Sequence, residues 1–184
     1  MEGRENQQQH KHNTENLEKI NQQIKDNFQK AFINVLKEKV ASEPPDYDWI
    51  TRLYTEIHDK LVKLLRPTSA LRKEINEHMD IELFDQMIRN KAFNAVDFYK
   101  LICYVFDLIK KLGSPARDNY TDEKKNEVLD IMKNNGTFAD IVPIFIINAN
   151  VTIDFIYEDI TAFKKKFTNN NNNNNNINNN NEVK

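Results

Sequence analysis

The chain is poor in the residues that most catalytic and structural devices require. Its 184 residues include one cysteine, three glycines and one tryptophan. A single thiol, Cys103, cannot close an internal disulfide. Its place in an apolar segment marks it as a core residue rather than a nucleophile, so a reducing compartment fits. Three glycines leave no Gly-rich phosphate loop and no Gly-x-Ser-x-Gly elbow. No run approaches the ~18 apolar residues expected of a membrane span. The opening MEGRENQQQHKHN lacks the apolar core of a secretory signal. Position 2 is Glu and the last residues hold no cysteine, so the usual lipid attachments have no acceptor. Three consecutive lysines, Lys164 to Lys166, attract an anionic membrane by about 1 kcal/mol each, too little for a stable anchor. The expectation is a soluble, cytoplasmic protein.

Excess basic charge is missing as well. With 26 Lys and Arg against 28 Asp and Glu, the net charge is −2, which argues against a nucleic-acid partner. The four histidines make no metal motif. His10 and His12 alone do not form a closed site. His58 and His78 stand beside acids (Asp59; Glu77 and Asp80) but on different segments, without His-Glu-x-x-His spacing. The residues predict no metal, no cofactor and no catalytic centre.

What the chain does have is apolar spacing of helical period, most clearly over residues 94–118. Asn94 is placed to cap a helix and Asp97 suits its positive end. Phe98, Leu101, Ile102, Val105, Leu108, Ile109 and Leu112 recur at three- and four-residue steps. Val96, Cys103, Tyr104 and Phe106 widen that stripe around the helix, which predicts burial by several neighbours and makes this the core helix. Lys110 and Lys111 fit the last turn, Gly113 is placed for a left-handed cap, and Pro115 stops simple continuation.

Ahead of it, residues 1–13 form a polar segment expected to be a disordered tail. A surface helix is predicted from Thr14 to Val40, with Leu17, Ile20, Ile24, Phe28, Phe32 (or Ala31), Val35, Leu36 and Val40 on one stripe. At roughly 40 Å it exceeds what one partner helix covers, so its front half is expected to extend beyond the body or to pair with another chain. Pro44-Pro45 ends it. Asp46 or Asp48 caps the second helix, whose apolar face is Ile50, Leu53, Tyr54, Ile57, Leu61, Leu64 and Leu65, closed by Arg66-Pro67. Thr68 or Ser69 opens a third helix with Leu71, Ile75 and Met79 inward. Asp80 re-caps a fourth with Ile81, Phe84, Met87 and Ile88 inward.

Beyond the core helix, Ser114-Pro115 resembles a cap followed by a first-turn proline, with a fresh start at Thr121 as the competing reading. Asn134-Asn135-Gly136 is a stop. The last helix is capped either by Thr137, with Asp140 completing a capping box, or by Asp140 itself. The second is preferred because it puts Pro143 in the first turn, where it removes no helical hydrogen bond. Its apolar residues, among them Phe145 and Phe155, cover more than one face from 138 to 163. Either the helix is central to the body or its uncovered side is an apolar patch; the patch is preferred, and with it a homodimer or a helical partner. Residues 168–184 are mostly Asn and are expected to be a second disordered tail. The whole reads as an all-α, compact multi-helix bundle of about six or seven helices, spanning 14–167.

Several segments together resemble the T-complex 11 family. They are Pro44-Pro45-Asp46-Tyr47 opening a Leu-rich helix, Leu64-Leu65-Arg66-Pro67 closing it, and Leu71-Arg72-Lys73-Glu74-Ile75 followed by Met79-Asp80-Ile81-Glu82-Leu83. Gly113-Ser114-Pro115-Ala116-Arg117-Asp118 is similar to the family's Ala-Pro-Val-Arg-Asp turn. Asp140-Ile141-Val142-Pro143-Ile144-Phe145 is similar to its Ile-Val-Pro-Leu-Phe segment, and Ile153-Asp154-Phe155 to its Met-Asp-Met. The resemblance implies an all-helical, non-enzymatic protein linked to cAMP and protein kinase A signalling, with kinase A pathway components as partners. It singles out Pro115, Arg117, Asp118, Phe145, Asp154 and Phe155 as structural or interaction residues. Arg117 and Asp118 are expected to fix the turn rather than to catalyse. The alternative is a small-ligand-binding or hydrolytic helical domain whose site forms only in three dimensions. A deep cleft with converging ionisable groups favours that alternative; an exposed apolar groove favours the interaction module.

Overall fold

The computed structural model describes the backbone of residues 2–178 and the side chains of residues 16–167. Among them are seven α-helices and no strand: α1 (Glu2–Ala41), α2 (Tyr47–Lys63), α3 (Ala70–His78), α4 (Ile81–Arg89), α5 (Ala95–Leu112), α6 (Asp118–Lys133) and α7 (Phe138–Asn178). A 3-10 turn, Pro115–Arg117, joins α5 to α6. The all-α expectation holds. The tails expected to be disordered, 1–13 and 168–184, lie outside the residues described at side-chain level. The backbone of α1 starts well before the expected Thr14, because no proline interrupts a stretch of Glu, Gln and Lys that favours helix.

Short polar side chains set most of the helix starts. The Asp46 carboxylate accepts from the Trp49 N–H at 3.1 Å, and Asp80 from the Leu83 N–H at 2.9 Å. Asn94 and Asp97 form a reciprocal capping box at α5, closing two donors the helix leaves open. At α7 the preferred reading is corrected. Thr137 is the cap and Asp140 its capping-box partner: the Thr137 N–H donates to Asp140 at 2.9 Å and the Asp140 N–H to the Thr137 hydroxyl at 3.3 Å. Two satisfied donors outweigh the single helical bond lost at Pro143, which lies inside the helix. The fresh start at Thr121 does not occur; α6 runs unbroken from Asp118 and buries Thr121.

Two glycines behave differently from one another. Gly113 is extended (φ −88°, ψ −175°), not left-handed as its position suggests. After α6 the left-handed residue is Asn135 (φ 59°). There a Cβ on Gly136 would come within 2.4 Å of the Ile131 side chain and 2.8 Å of its carbonyl oxygen, so no larger residue fits.

The bundle is built around α7, which packs against α1, α2, α5 and α6. Ile141, Val142, Phe145, Ile146, Ala149, Ile153 and Ile156 are all buried. From α5 come Phe98 and Phe106, whose rings meet Phe145 edge-on at centroid distances of 5.6 and 6.3 Å. Each such ring contributes about 1.5–3 kcal/mol by leaving water. The core position assigned to α5 is therefore shared, and α7 is the hub. By length and composition α7 is also apolar enough to cross a membrane, contrary to the expectation that no such run exists. Most of that segment is buried inside the bundle, as the core helix of a multi-helix body requires.

Candidate interaction surface

The turn after α5 carries three of the residues singled out by sequence, Pro115, Arg117 and Asp118. The Ser114 hydroxyl accepts from the Ala116 N–H at 3.4 Å, and Pro115 opens the 3-10 turn with its ring exposed. Arg117 does not pair with Asp118. Its guanidinium donates to Asp159 on α7 at 3.1 and 3.4 Å and lies 4.3 Å from the centre of the Phe155 ring. Phe155 also meets Tyr120 of α6, edge-on at 5.2 Å. Asp118 is half-buried at the start of α6; the hydrogen bond from Lys110 to Asp122, and more weakly the charge of Asp118, hold the Lys110 ammonium above its usual pKa. The arrangement ties three segments together around one aromatic ring. It offers no nucleophile beside a base, and the space among these side chains is about 10 Å³, too small for a substrate.

Residues 141–156 of α7 are not an uncovered patch. Phe145 is 2% exposed and lies in the core, because helices on several sides cover the apolar circumference that made a patch plausible. A polar pin locks the helix in rotation. Buried Asn148 donates to the Lys124 carbonyl at 3.0 Å and to Glu127 at 2.9 Å, both on α6. The Thr152 hydroxyl returns to the Asn148 carbonyl at 2.8 Å. Asp154 faces the other way. It accepts from Lys60 of α2 at 2.9 Å, Lys60 also reaches Asn150 at 2.8 Å, and the Tyr157 hydroxyl donates to the Lys60 carbonyl at 2.7 Å.

The exposed apolar surface lies instead on α1. Leu36 and Val40 are buried, and Phe32 meets Trp49 edge-on at 6.0 Å. Lys37 pairs with Asp140 in the first turn of α7, so the two long helices run antiparallel. Toward its start the same α1 stripe loses its cover: Phe28 is 74% exposed and Leu17 61%, with Ile20 and Ile24 about half exposed. Where α1 leaves the body a groove of about 580 Å³ opens. Its floor is Ile146, Ile147 and Val151 of α7; Phe28 and Phe32 form one wall, and Leu53 of α2 the other. The Lys60–Asp154 pair closes one end. At the far end of α7, Phe163 and Phe167 are also exposed, their rings 4.6 Å apart.

Of the residues singled out by sequence, Arg117, Asp118 and Phe155 line one small cavity and Pro115 opens the turn beside it, Asp154 lines the groove, and Phe145 lies in the core. His58 and His78 do not converge. His58 contacts Asp59 and Asn76, while His78 stacks on Tyr104. Missed altogether were Asn148 and Thr152, whose only signal was their place on the apolar face of α7.

The comparisons with known proteins cover much of this framework. The T-complex protein 11 family profile matches residues 6–145. The T-complex protein 11 homolog of Homo sapiens is 32% identical over 104 residues, covering 56% of this chain and 20% of that protein. The T-complex protein 11-like X-linked protein 1 of Homo sapiens is 36% identical over 89 residues, covering 48% and 17%. T-complex protein 11 of Mus musculus is 30% identical over 104 residues, covering 56% and 18%. The chain thus spans about a fifth of the length of these relatives. No solved structure matches it.

Proposed function

The chain belongs to the T-complex protein 11 family, and on that premise we propose that it is a non-enzymatic interaction module acting in cytoplasmic signalling linked to cAMP and protein kinase A. The observation that carries this reading is the apolar stripe of Leu17, Ile20, Ile24 and Phe28, exposed on α1 and running into the groove over α7. A soluble body rarely leaves such a row uncovered, and a row at helical spacing beside a groove fits the apolar face of a partner helix. Phe28, at the mouth of the groove, is the aromatic anchor of that surface. The link to kinase A comes from the family resemblance; the geometry supports docking as such.

The test is affinity purification of the full chain from native cells, with and without Phe28→Glu. Kinase A pathway components that co-purify with the wild type and are lost with the variant, at unchanged thermal stability, support the reading. Capture that is indifferent to Phe28→Glu removes the groove from it. Light scattering adds the second-copy arm: self-association abolished by Phe28→Glu would identify the occupant as another copy of this chain.

A further inference from the structure

A second cleft, distinct from the groove, lies on the side of the bundle formed by α2, α3, α4 and α5. It has a volume of about 220 Å³, below the ≈300–1,000 Å³ of sites for drug-sized ligands, so its occupant is a fragment or a single side chain. Four aromatic rings line it: Tyr54, Phe84, Phe93 and Tyr104. Tyr54 stacks on Phe84 at 4.1 Å, and Phe84 meets Phe93 edge-on at 5.3 Å. Glu77, Asp80 and Asp97 also line it, with Lys100 and His78; Asp80 and Asp97 each give one oxygen to a helix start and keep the other, and Glu77 lies 3.7 Å from Lys73 at the surface. These carboxylates belong to no group of acids and histidines able to hold a metal ion among the described residues. They set a negative field over an aromatic surface rather than a coordination shell.

Burial dominates the titration of the two tyrosines in the cleft wall, and one hydroxyl there has no partner. Burial first, and then the charge of Glu74, push the Tyr104 hydroxyl up to about 12. The Tyr54 hydroxyl is pushed up by burial, then by Asp80 and by Tyr104. The Tyr104 oxygen is enclosed and has no hydrogen-bond partner, although its ring is stacked on His78 at 4.8 Å. Native structures rarely leave such an atom unsatisfied. A ligand that supplies positive charge and a short apolar body would answer the aromatic and acidic features of the cleft: the ring faces attract the cation and the carboxylates neutralise it, while the enclosed Tyr104 oxygen lies out of its reach.

We propose that this cleft binds an alkylammonium group, carried either by a small free amine or by a lysine side chain of another protein. The site shares no residue with the α1 groove, so either surface can fail without the other.

The experiment is an NMR titration of the full chain with n-butylammonium, tetramethylammonium, butan-1-ol and capped lysine (N-acetyl-lysine methylamide). Both ammonium ions should give saturable shifts at Leu83, Met87 and Tyr104, and the uncharged alcohol should not saturate in the same range. Glu77→Gln should weaken both ions about two- to fivefold, the worth of one partly exposed charge pair. Tyr104→Phe keeps the ring and removes the enclosed hydroxyl. Both ions should bind this variant as they bind the wild type, and loss of either would overturn the assignment of binding to ring faces and carboxylates. Capped lysine binding more tightly than n-butylammonium identifies a protein side chain as the source; the reverse identifies a free amine. Butan-1-ol saturating alongside the ions, or no saturable shift with either ion, would overturn the proposal.

Discussion

Two helices of nearly equal length, α1 with 40 residues and α7 with 41, have opposite fates in this molecule. The middle of α7 is enclosed by four other helices, whereas the described front half of α1 lies open to solvent. They run antiparallel and meet at the Lys37–Asp140 pair, so position in the bundle does not separate them. The angular width of the apolar sector does. Residues 141–156 of α7 are apolar around most of the circumference and need cover on several sides. On α1 a single stripe needs only one, and the bundle supplies it only near Leu36 and Val40. A long helix is thus a core or an arm according to how far round its hydrophobic residues extend.

The largest effect should come from treating the two helices alike. Phe145→Ala removes a ring in contact with Phe98 and Phe106 and should cost about 3–5 kcal/mol. Phe28→Ala removes a ring that is 74% exposed and should stay within about 0.5 kcal/mol. Urea denaturation of both variants measures the contrast directly, and equal losses would show that the front half of α1 is packed in solution. A smaller loss is expected from Asn148→Ala. It strips a donor from the Lys124 carbonyl and from Glu127 and should cost about 1–3 kcal/mol, with faster hydrogen exchange in α6 rather than in α1.

The smallest effect concerns the tie between the two helices. The Lys37 ammonium and the Thr137 hydroxyl and N–H hold the Asp140 carboxyl below its usual value of 3.8. A depressed folded-state value means that the contribution is fully present above the unfolded value and is lost as pH falls through the folded one. Stability should therefore decline on acidification below about pH 4. Asp140→Asn should flatten that part of the acid limb and lower stability near neutrality by the same small amount that the wild type loses on acidification. An acid limb identical to that of the wild type would show that the pair does not act in solution.

Much of the local structure was legible. Asn94 and Asp97, three residues apart ahead of an apolar run, announced the start of α5, and Asp46 and Asp80 announced α2 and α4. At α7 the same kind of signal was present twice, in Thr137 and Asp140, and the choice turned on weighing a capping box against Pro143. The site residues were less legible. Arg117 was marked by its turn, but its partner Asp159 lies 42 residues away and on another helix. The cleft around Tyr104 draws its aromatic and acidic residues from four helices and the turns between them, and no sequence window contains more than a fragment of it.

The sequence by itself determined that the chain is helical, where most helices begin, and which residues of each form an apolar face. Those properties follow from spacings of three and four residues and from caps within one turn, both local to the backbone. Tertiary structure alone decided that α7 rather than α5 is the hub, that the cover over the single stripe of α1 ends before Phe28, and that Tyr104 faces acids from other helices. Each of these depends on which neighbours arrive from distant parts of the chain. An apolar side chain has the same wish to leave water whether or not a neighbour is there to cover it.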